Sequence, residues 1–134
     1  MELKEIFGES LSAEMLIELP PLALAFVGDG IHTMYVRNNI VKTRISKIGD
    51  YHSLCAKFCK ADCQAKVLDA IMETLTEVEC DVVRRARNVK THNIAKNADG
   101  ATYKKATSFE ALIGYLYLTK QHERMNQILD ASVM

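Results

Sequence analysis

Apolar positions along the chain recur every three or four residues, which is the spacing of one face of an α-helix. The longest such run extends from Ile48 to Glu73 and indicates one long helix, or two stacked helices with a break at Gly49 or Asp62. Its apolar positions are Leu54, Phe58, Ala61, Ala65, Leu68 and Ile71. The sequence contains no run in which apolar and polar residues alternate as they do in a half-buried strand. The pattern therefore predicts an all-α fold, a helical bundle.

Local signals predict where the other helices begin and end. Pro20 and Pro21 end a short helix, and Pro21 suits the first turn of the next one. Thr76 and Glu79 have the Thr-x-x-Glu spacing of a capping box, which predicts a helix start. The predicted helices run from Ser10 or Ser12 to Leu19, from Pro21 to about Asn38 or Ile40, from Thr76 to about Asn88, and over 102–118 and 121–132.

Two of these helices each carry one acidic residue among apolar neighbours. Asp29 falls on a helical stripe whose other members are Leu22, Ala25, Phe26 and Val36. Glu110 shares its face with Thr107, Ile113, Gly114 and Tyr117. A carboxylate that leaves water is costly unless a cation, hydrogen bonds or protonation compensates. We therefore expect these two acids to have a specific role.

The small residues beside the acids suggest what that role is. Ala25 and Gly28 on one helix and Gly114 on the other would let the two backbones approach closely. Asp29 and Glu110 could then share a hard divalent ion, Mg²⁺ or Mn²⁺. The alternative, which the pattern leaves equally open, is two helix acids that reach solvent or pair with Lys or Arg.

Length and composition are those of one globular domain. The chain has 134 residues, of which 49% are hydrophobic and 25% are charged, so we expect a single domain over residues 1–134. No apolar run approaches the roughly 18 residues of a membrane span, and the acidic start differs from a secretory signal. We expect a cytoplasmic protein with free thiols. Cys55 and Cys63 would lie about 12 Å apart along one straight helix, too far for one zinc ion.

The net charge is zero, but the charges are unevenly distributed. Residues 1–21 carry five acids against one lysine, whereas basic residues dominate residues 84–105 with only Asp99 against them. The basic residues of that segment are Arg84, Arg85, Arg87, Lys90, Lys96, Lys104 and Lys105. This segment could bind a polyanion such as a phosphate backbone, or it could be a solvated helix end and loop.

The sequence gives little support for nucleotide-binding or nucleophilic chemistry. Gly28 and Gly30 lie inside a predicted helix without a preceding strand, which excludes a nucleotide-binding glycine loop. The four histidines are scattered, and none adjoins a serine in a nucleophile motif. Carboxylates that hold a divalent ion and a basic segment that holds phosphates are together what phosphodiester hydrolysis requires.

Two segments resemble the ribonuclease III family. Phe26–Gly30 (FVGDG) resembles the helix motif of that family, and Phe109–Leu118 resembles its second catalytic helix. The likeness spans about residues 20–120 and is greatest to the Mini-III branch, which consists of the nuclease domain without a double-stranded-RNA-binding domain. The resemblance implies a ribonuclease III-like endonuclease domain that forms a homodimer in the bacterial cytoplasm.

The resemblance also implies an activity and a site. It implies Mg²⁺-dependent endonucleolytic cleavage of double-stranded RNA that leaves 5′-phosphate and 3′-hydroxyl ends, with Asp29 and Glu110 as the catalytic, metal-binding acids. In the Mini-III branch the substrate is the precursor of large-subunit (23S) ribosomal RNA, and a ribosomal protein or particle could present it. Ala25, Thr107 and Leu22 stand where full-length family members usually have further acids, so water or RNA phosphate would complete the metal coordination.

Two rival interpretations remain. A protein of the same fold could bind RNA or a ribosomal particle without cutting it, and the reduced set of acids is compatible with this. Alternatively, the chain could be a helical protein-interaction module unrelated to RNA. The presence of both Asp29 and Glu110 favours the nuclease.

Overall fold

All regular secondary structure in the described part of the chain is helical. The computed structural model describes residues 8–43, 47–89 and 100–133, and these contain no strand. Within them, no helix is long and apolar enough to cross a membrane. The α-helices are α1 (Ala13–Glu18), α2 (Pro21–Thr43), α3 (Tyr51–Cys59), α4 (Ala61–Ile71), α5 (Glu77–Arg87), α6 (Gly100–Leu118) and α7 (His122–Ala131). Short 3₁₀ turns, Ile48–Asp50 and Met72–Thr74, precede α3 and follow α4.

Most of the predicted helix ends are confirmed. The Ser12 side chain caps α1 by accepting a hydrogen bond from the Met15 amide, and α2 begins at Pro21. The capping box of Thr76 and Glu79 begins α5. The break in the run after Ile48 was misplaced, because it lies at Lys60, whose backbone is extended between α3 and α4.

Helix α6 forms the centre of the bundle. Phe109, Leu112, Ile113 and Leu116 on this helix have no exposed surface. Helices α2, α4, α5 and α7 all pack against α6, and its contact with α2 is the most extensive between any two described helices. A helix surrounded in this way must be apolar on nearly all sides, which explains its long apolar sequence.

The buried face of α2 differs from the predicted stripe. Phe26 is 83% exposed, and Leu22 and Asp29 are also exposed. The residues of α2 that are buried are Leu24, Ala25, Gly28, His32, Val36 and Ile40. Because most of α2 is apolar, the sequence pattern could not determine which side faces the core. The prediction that Asp29 lies on a buried apolar face was therefore wrong, and Asp29 lies beside that face.

An ion pair between a buried carboxylate and a half-buried arginine ties α5 to α7. The carboxylate of Glu79, which is 3% exposed, accepts hydrogen bonds from Nε and Nη2 of Arg124, with a shortest distance of 2.9 Å. The same carboxylate caps α5 through the amide of Thr76, and Arg124 also donates to the carbonyl oxygen of Thr74. Burial raises the pKa of Glu79, but the bonds from Arg124 and Thr76 outweigh burial and hold that pKa below its ordinary value.

Candidate functional site

Two glycines allow α2 and α6 to cross with their backbones in contact. A Cβ atom at Gly28 would lie 1.7 Å from the carbonyl oxygen of Glu110. A Cβ atom at Gly114 would lie 1.9 Å from the carbonyl oxygen of Leu24. No side chain fits at either position without separation of the helices. The close approach predicted from the small residues is thus present at Gly28 and Gly114, whereas a Cβ atom at Gly30 would meet no atom of another helix within 4 Å.

This crossing brings Asp29 and Glu110 together. Asp29 follows Gly28 directly, and its carboxyl group hydrogen-bonds to that of Glu110. Glu110 is largely enclosed, and Asp29 is exposed. Burial, together with the hydrogen bond and the charge of the neighbouring Asp29 carboxylate, raises the pKa of Glu110 to about 8. Two carboxyl groups this close do not readily ionise together unless a positive charge lies between them.

The donor set suits a hard divalent cation. Carboxylate oxygens are the ligands that Mg²⁺ prefers, and such an ion would offset the mutual repulsion of Asp29 and Glu110. Within the described residues, no group of three or more His, Cys, Asp or Glu side chains is arranged to hold a metal ion. The two acids would therefore supply only part of a coordination sphere, which water or a substrate phosphate would complete.

Gln64 and His32 form a buried polar pair behind the two acids. The side chain of Gln64 on α4 hydrogen-bonds to the Glu110 carboxyl group and lowers its pKa. Nε2 of Gln64 also lies 3.1 Å from Nδ1 of His32 on α2. Neither residue was predicted from the sequence to belong to the site. A polar side chain on an otherwise apolar helix face was the available signal, but the separation of 32 positions between the two residues concealed the pairing.

At the three positions where the family usually has further acids, this chain provides no carboxylate. Ala25 is buried in an apolar cluster with Val82 and Ala111. Thr107 is also buried, and its hydroxyl donates to the carbonyl oxygen of Tyr103 at 3.0 Å, within its own helix. Leu22 is exposed. These three positions therefore offer no further charged ligand.

The basic residues of the described part divide between two helices. Arg84, Arg85 and Arg87 are exposed on α5, and Arg84 pairs with Asp81. Lys104 and Lys105 lie on α6, where Lys105 pairs with Asp69 at 3.1 Å. Lys90 and Lys96 lie outside the described residues.

The structure brings three of the predicted basic residues to one cavity. Arg87, Lys104 and Lys105 line a shallow cavity of about 560 Å³. Lys105 lies one and a half turns before Glu110 on α6. The cavity and the acidic pair thus lie along the same helix.

The three clustered cysteines lie on both sides of the break between α3 and α4. Cys55 and Cys59 on α3 have sulfur atoms 4.0 Å apart, whereas Cys63 on α4 donates to the carbonyl oxygen of Lys57. Burial, together with the neighbouring Cys55, raises the pKa of Cys59 to about 11. This thiol is therefore protonated at neutral pH and is a poor nucleophile.

An apolar surface flanks the acidic pair on the outer side of α2. Phe26, Met34 and Val41 are each at least half exposed on this helix. An open groove of about 1010 Å³ begins at Asp29 and continues past Met34 to Val41, with Met125 of α7 on its far wall. Exposed apolar patches of this kind mark protein contacts more often than they mark free surface.

Comparison with known proteins identifies relatives over nearly the whole chain. A profile described as "Ribonuclease III domain" matches residues 22–121. The Mini-ribonuclease 3 of Symbiobacterium thermophilum is 43% identical, over 87% of this chain and 89% of its own length. That of a Thermoanaerobacter species is 41% identical, over 93% of this chain and 88% of its own length.

A solved structure matches the fold as well. The crystal structure of a protein from Fusobacterium nucleatum superposes with a TM-score of 0.80 and 27% sequence identity. The match covers 88% of this chain and 94% of the other. The all-α architecture described above is therefore the architecture of that protein too.

Proposed function

Because the chain belongs to the ribonuclease III family, in its Mini-ribonuclease 3 branch, and is an endoribonuclease, we propose that it cleaves double-stranded RNA with a divalent metal ion held by Asp29 and Glu110. We propose Mg²⁺ as this ion, with Mn²⁺ as the alternative. The products would carry 5′-phosphate and 3′-hydroxyl ends.

One observation carries this proposal. The carboxyl groups of Asp29 and Glu110 hydrogen-bond to each other, and burial together with Asp29 raises the pKa of Glu110 to about 8. Such a pair of acids costs stability when both are charged, and a divalent cation that replaces the proton on Glu110 would offset that cost. A bound divalent ion would supply charge neutralisation at the scissile phosphate and would activate water for attack.

The protein's own side chains would perform the remaining tasks. Asp29, at the exposed edge of the pair, would meet the RNA backbone first, whereas Glu110 is held more deeply. Arg87, Lys104 and Lys105 would bind backbone phosphates without reading bases, since the A-form major groove hides base edges from side chains. Arg84, Arg85, Lys90 and Lys96 complete the basic set that we propose for RNA.

We propose a homodimer formed through the outer face of α2. Phe26, Met34 and Val41 would be covered in this contact, and the groove beside Asp29 would receive the second copy. A two-fold contact along α2 would place one acidic pair from each subunit near the interface. Each subunit could then cut one strand of a duplex.

We further propose that the substrate is the precursor of 23S ribosomal RNA in the bacterial cytoplasm. A ribosomal protein or ribosomal particle would present the RNA, and a single domain over residues 1–134 would perform the cleavage. A protein that binds RNA on this fold without cutting it is the alternative, since only two acids meet at the site among the described residues.

The decisive experiment compares the purified protein with two variants on long double-stranded RNA. Asp29→Asn and Glu110→Gln remove one negative charge each and preserve side-chain shape. We expect cleavage by the unaltered protein with Mg²⁺ or Mn²⁺, no cleavage in excess chelator, and at least a hundredfold slower cleavage by each variant. Retained RNA binding without cleavage by the unaltered protein would favour the non-catalytic alternative, and equal cleavage by the variants would refute the assigned site.

A further inference from the structure

Gln64 occupies an unusual position for a neutral polar side chain. It is 4% exposed on α4, a helix that packs against α6. Its amide reaches both Glu110 and His32, which belong to two different helices. A buried amide must satisfy its donors, so these two contacts determine its orientation. Gln64 thus links the deeper acid of the site to the core.

His32 is a neutral hydrogen-bond acceptor for Gln64. It is 1% exposed, and burial lowers its pKa to about 4, although the nearby Asp29 opposes this shift. The Gln64 atom that faces Nδ1 of His32 is Nε2, which can only donate. Nδ1 must therefore accept, and the proton of the neutral imidazole resides on Nε2.

The His32 ring is itself held in place. It makes an edge-to-face contact with the fully buried ring of Phe109, with 5.1 Å between ring centroids. Its Nε2 has no hydrogen-bond partner among the described residues. An unpaired buried donor costs stability, whereas an apolar side chain at position 32 would avoid that cost. The contact that His32 gains in return is the one with Gln64.

Both amide hydrogens of Gln64 are thereby assigned. One points to Nδ1 of His32, and the other is left for the carboxylate of Glu110. With Nδ1 as an acceptor and Glu110 ionised, as it would be beside a metal ion, rotation of the amide by 180° would place its oxygen against both groups, and both contacts would be repulsive. Donation by the amide to Glu110 and the His32 tautomer with its proton on Nε2 therefore belong to the same arrangement.

We propose that Gln64 is a positioning residue that holds the Glu110 carboxylate toward Asp29, and that His32 acts through Gln64 by fixing its amide. This inference rests on the proposed metal site, and it explains how a site with two acids is preorganised. Partners that hold a metal ligand in this way typically contribute a factor of ten to a hundred in metal affinity.

The test measures Mn²⁺ binding without RNA, by the electron paramagnetic resonance signal of free Mn²⁺. Gln64→Met keeps the length of the side chain and removes its donors, and Gln64→Asn keeps the amide but shortens its reach. We expect each to weaken Mn²⁺ binding by about tenfold. We also expect the Mg²⁺ concentration for half-maximal cleavage to rise by a similar factor. Leu68→Ala on the same helix serves as the control, because it lowers stability without changing Mn²⁺ affinity.

A double variant tests the role of His32. If His32 acts through Gln64, His32→Phe should weaken Mn²⁺ binding, and the double variant with Gln64→Met should bind no more weakly than Gln64→Met alone. Additive effects would overturn the role of His32. Unchanged Mn²⁺ affinity in both Gln64 variants would overturn the inference. If Asp29→Asn and Glu110→Gln also bound Mn²⁺ normally, the proposed metal site would fail as well.

Discussion

Gly28 and Gly114 face each other across the crossing of α2 and α6, and neither position has room for a Cβ atom. The clash at Gly28 would be with the backbone of Glu110 itself, 1.7 Å away. Because main-chain atoms cannot rotate aside, a larger residue here would have to separate the helices. The same contact sets the distance between Asp29 and Glu110. Core packing and the arrangement of the acidic pair therefore depend on one pair of glycines.

The first prediction concerns this crossing. Gly28→Ala should lower the free energy of unfolding by about 1–3 kcal/mol, because the added methyl group overpacks a backbone contact. It should also weaken Mn²⁺ binding, because separation of the helices moves the acids apart. Gly30→Ala is the matched control. A Cβ atom at that position would meet no atom from elsewhere in the described structure within 4 Å, so alanine should raise stability by about 0.5–1 kcal/mol. Denaturant titration measures the stability of both variants. Equal stabilities of Gly28→Ala and Gly30→Ala would contradict the prediction.

The second prediction concerns pH and the metal-free protein. The pKa of Glu110 is about 8 in the folded protein, against 4.5 ordinarily. The folded state thus keeps a proton that the unfolded state loses, so the free energy of unfolding should fall as pH rises from about 4.5 to about 8. His32 acts oppositely below its ordinary pKa of 6.5, since it is neutral when folded with a pKa of about 4. Between pH 6.5 and 8, the change in the free energy of unfolding therefore reports the titration of Glu110.

Denaturant titrations across that range provide the measurement. We expect the unfolding midpoint of the metal-free protein to decrease from pH 6.5 to 8. Glu110→Gln should make this segment flat, because its side chain does not titrate. Addition of Mn²⁺ at pH 8 should restore the midpoint, since binding to the folded state stabilises it. A flat segment in the unaltered protein would show that Glu110 is ionised at lower pH than the structure indicates.

The third prediction concerns the ion pair between Glu79 and Arg124. Arg124→Met would leave the Glu79 carboxylate buried without its partner and should cost about 3–5 kcal/mol. Arg85→Met, which removes an exposed arginine of α5, should change stability by less than about 0.5 kcal/mol. Comparable losses in the two variants would contradict a special role for the buried pair.

The same pair should make stability sensitive to acid. The folded pKa of Glu79 lies below its ordinary value of 4.5. Its contribution should therefore be fully present above about pH 4.5 and should disappear as pH falls through the folded pKa. The difference in stability between the unaltered protein and Arg124→Met should shrink over the same range.

The fourth prediction concerns RNA binding. Arg87→Gln and Lys104→Gln should each raise KM for double-stranded RNA and leave kcat at saturating RNA nearly unchanged. Each should also lower the slope of the logarithm of affinity against the logarithm of salt concentration by about 1, because one phosphate contact is lost. Lys57→Gln on α3 is the control, since Lys57 is an exposed charge away from the basic cavity. If the slope is unchanged in Arg87→Gln and Lys104→Gln, the RNA binds elsewhere on the protein.

The fifth prediction concerns assembly. Phe26→Asp should convert the proposed dimer to a monomer, because it places a charge at the most exposed apolar position of α2. Val78→Asp is the matched control, as Val78 is 56% exposed on α5. Light scattering should give about twice the chain mass of 15.0 kDa for the unaltered protein and for the control. A monomeric unaltered protein would refute the proposed interface.

The sequence alone was sufficient for features that depend on neighbouring residues. The cap at Ser12, the start of α2 at Pro21 and the capping box of Thr76 and Glu79 follow from interactions that span at most three residues. The family and its two motifs were also recognisable, and with them the candidate acids Asp29 and Glu110. Small residues at Gly28 and Gly114 further predicted the close helix crossing.

Other features arose only when distant segments packed together. The pairing of Gln64 with His32 spans 32 residues, and that of Glu79 with Arg124 spans 45. Helix α2 is apolar on most sides, so only its contact with α6 decided that Phe26 faces outward and Gly28 inward. Local sequence determines where helices begin and end through short-range hydrogen bonds. Burial, and the pKa shifts that follow from it, depends on all the helices that pack around a residue, and the tertiary structure alone specifies that packing.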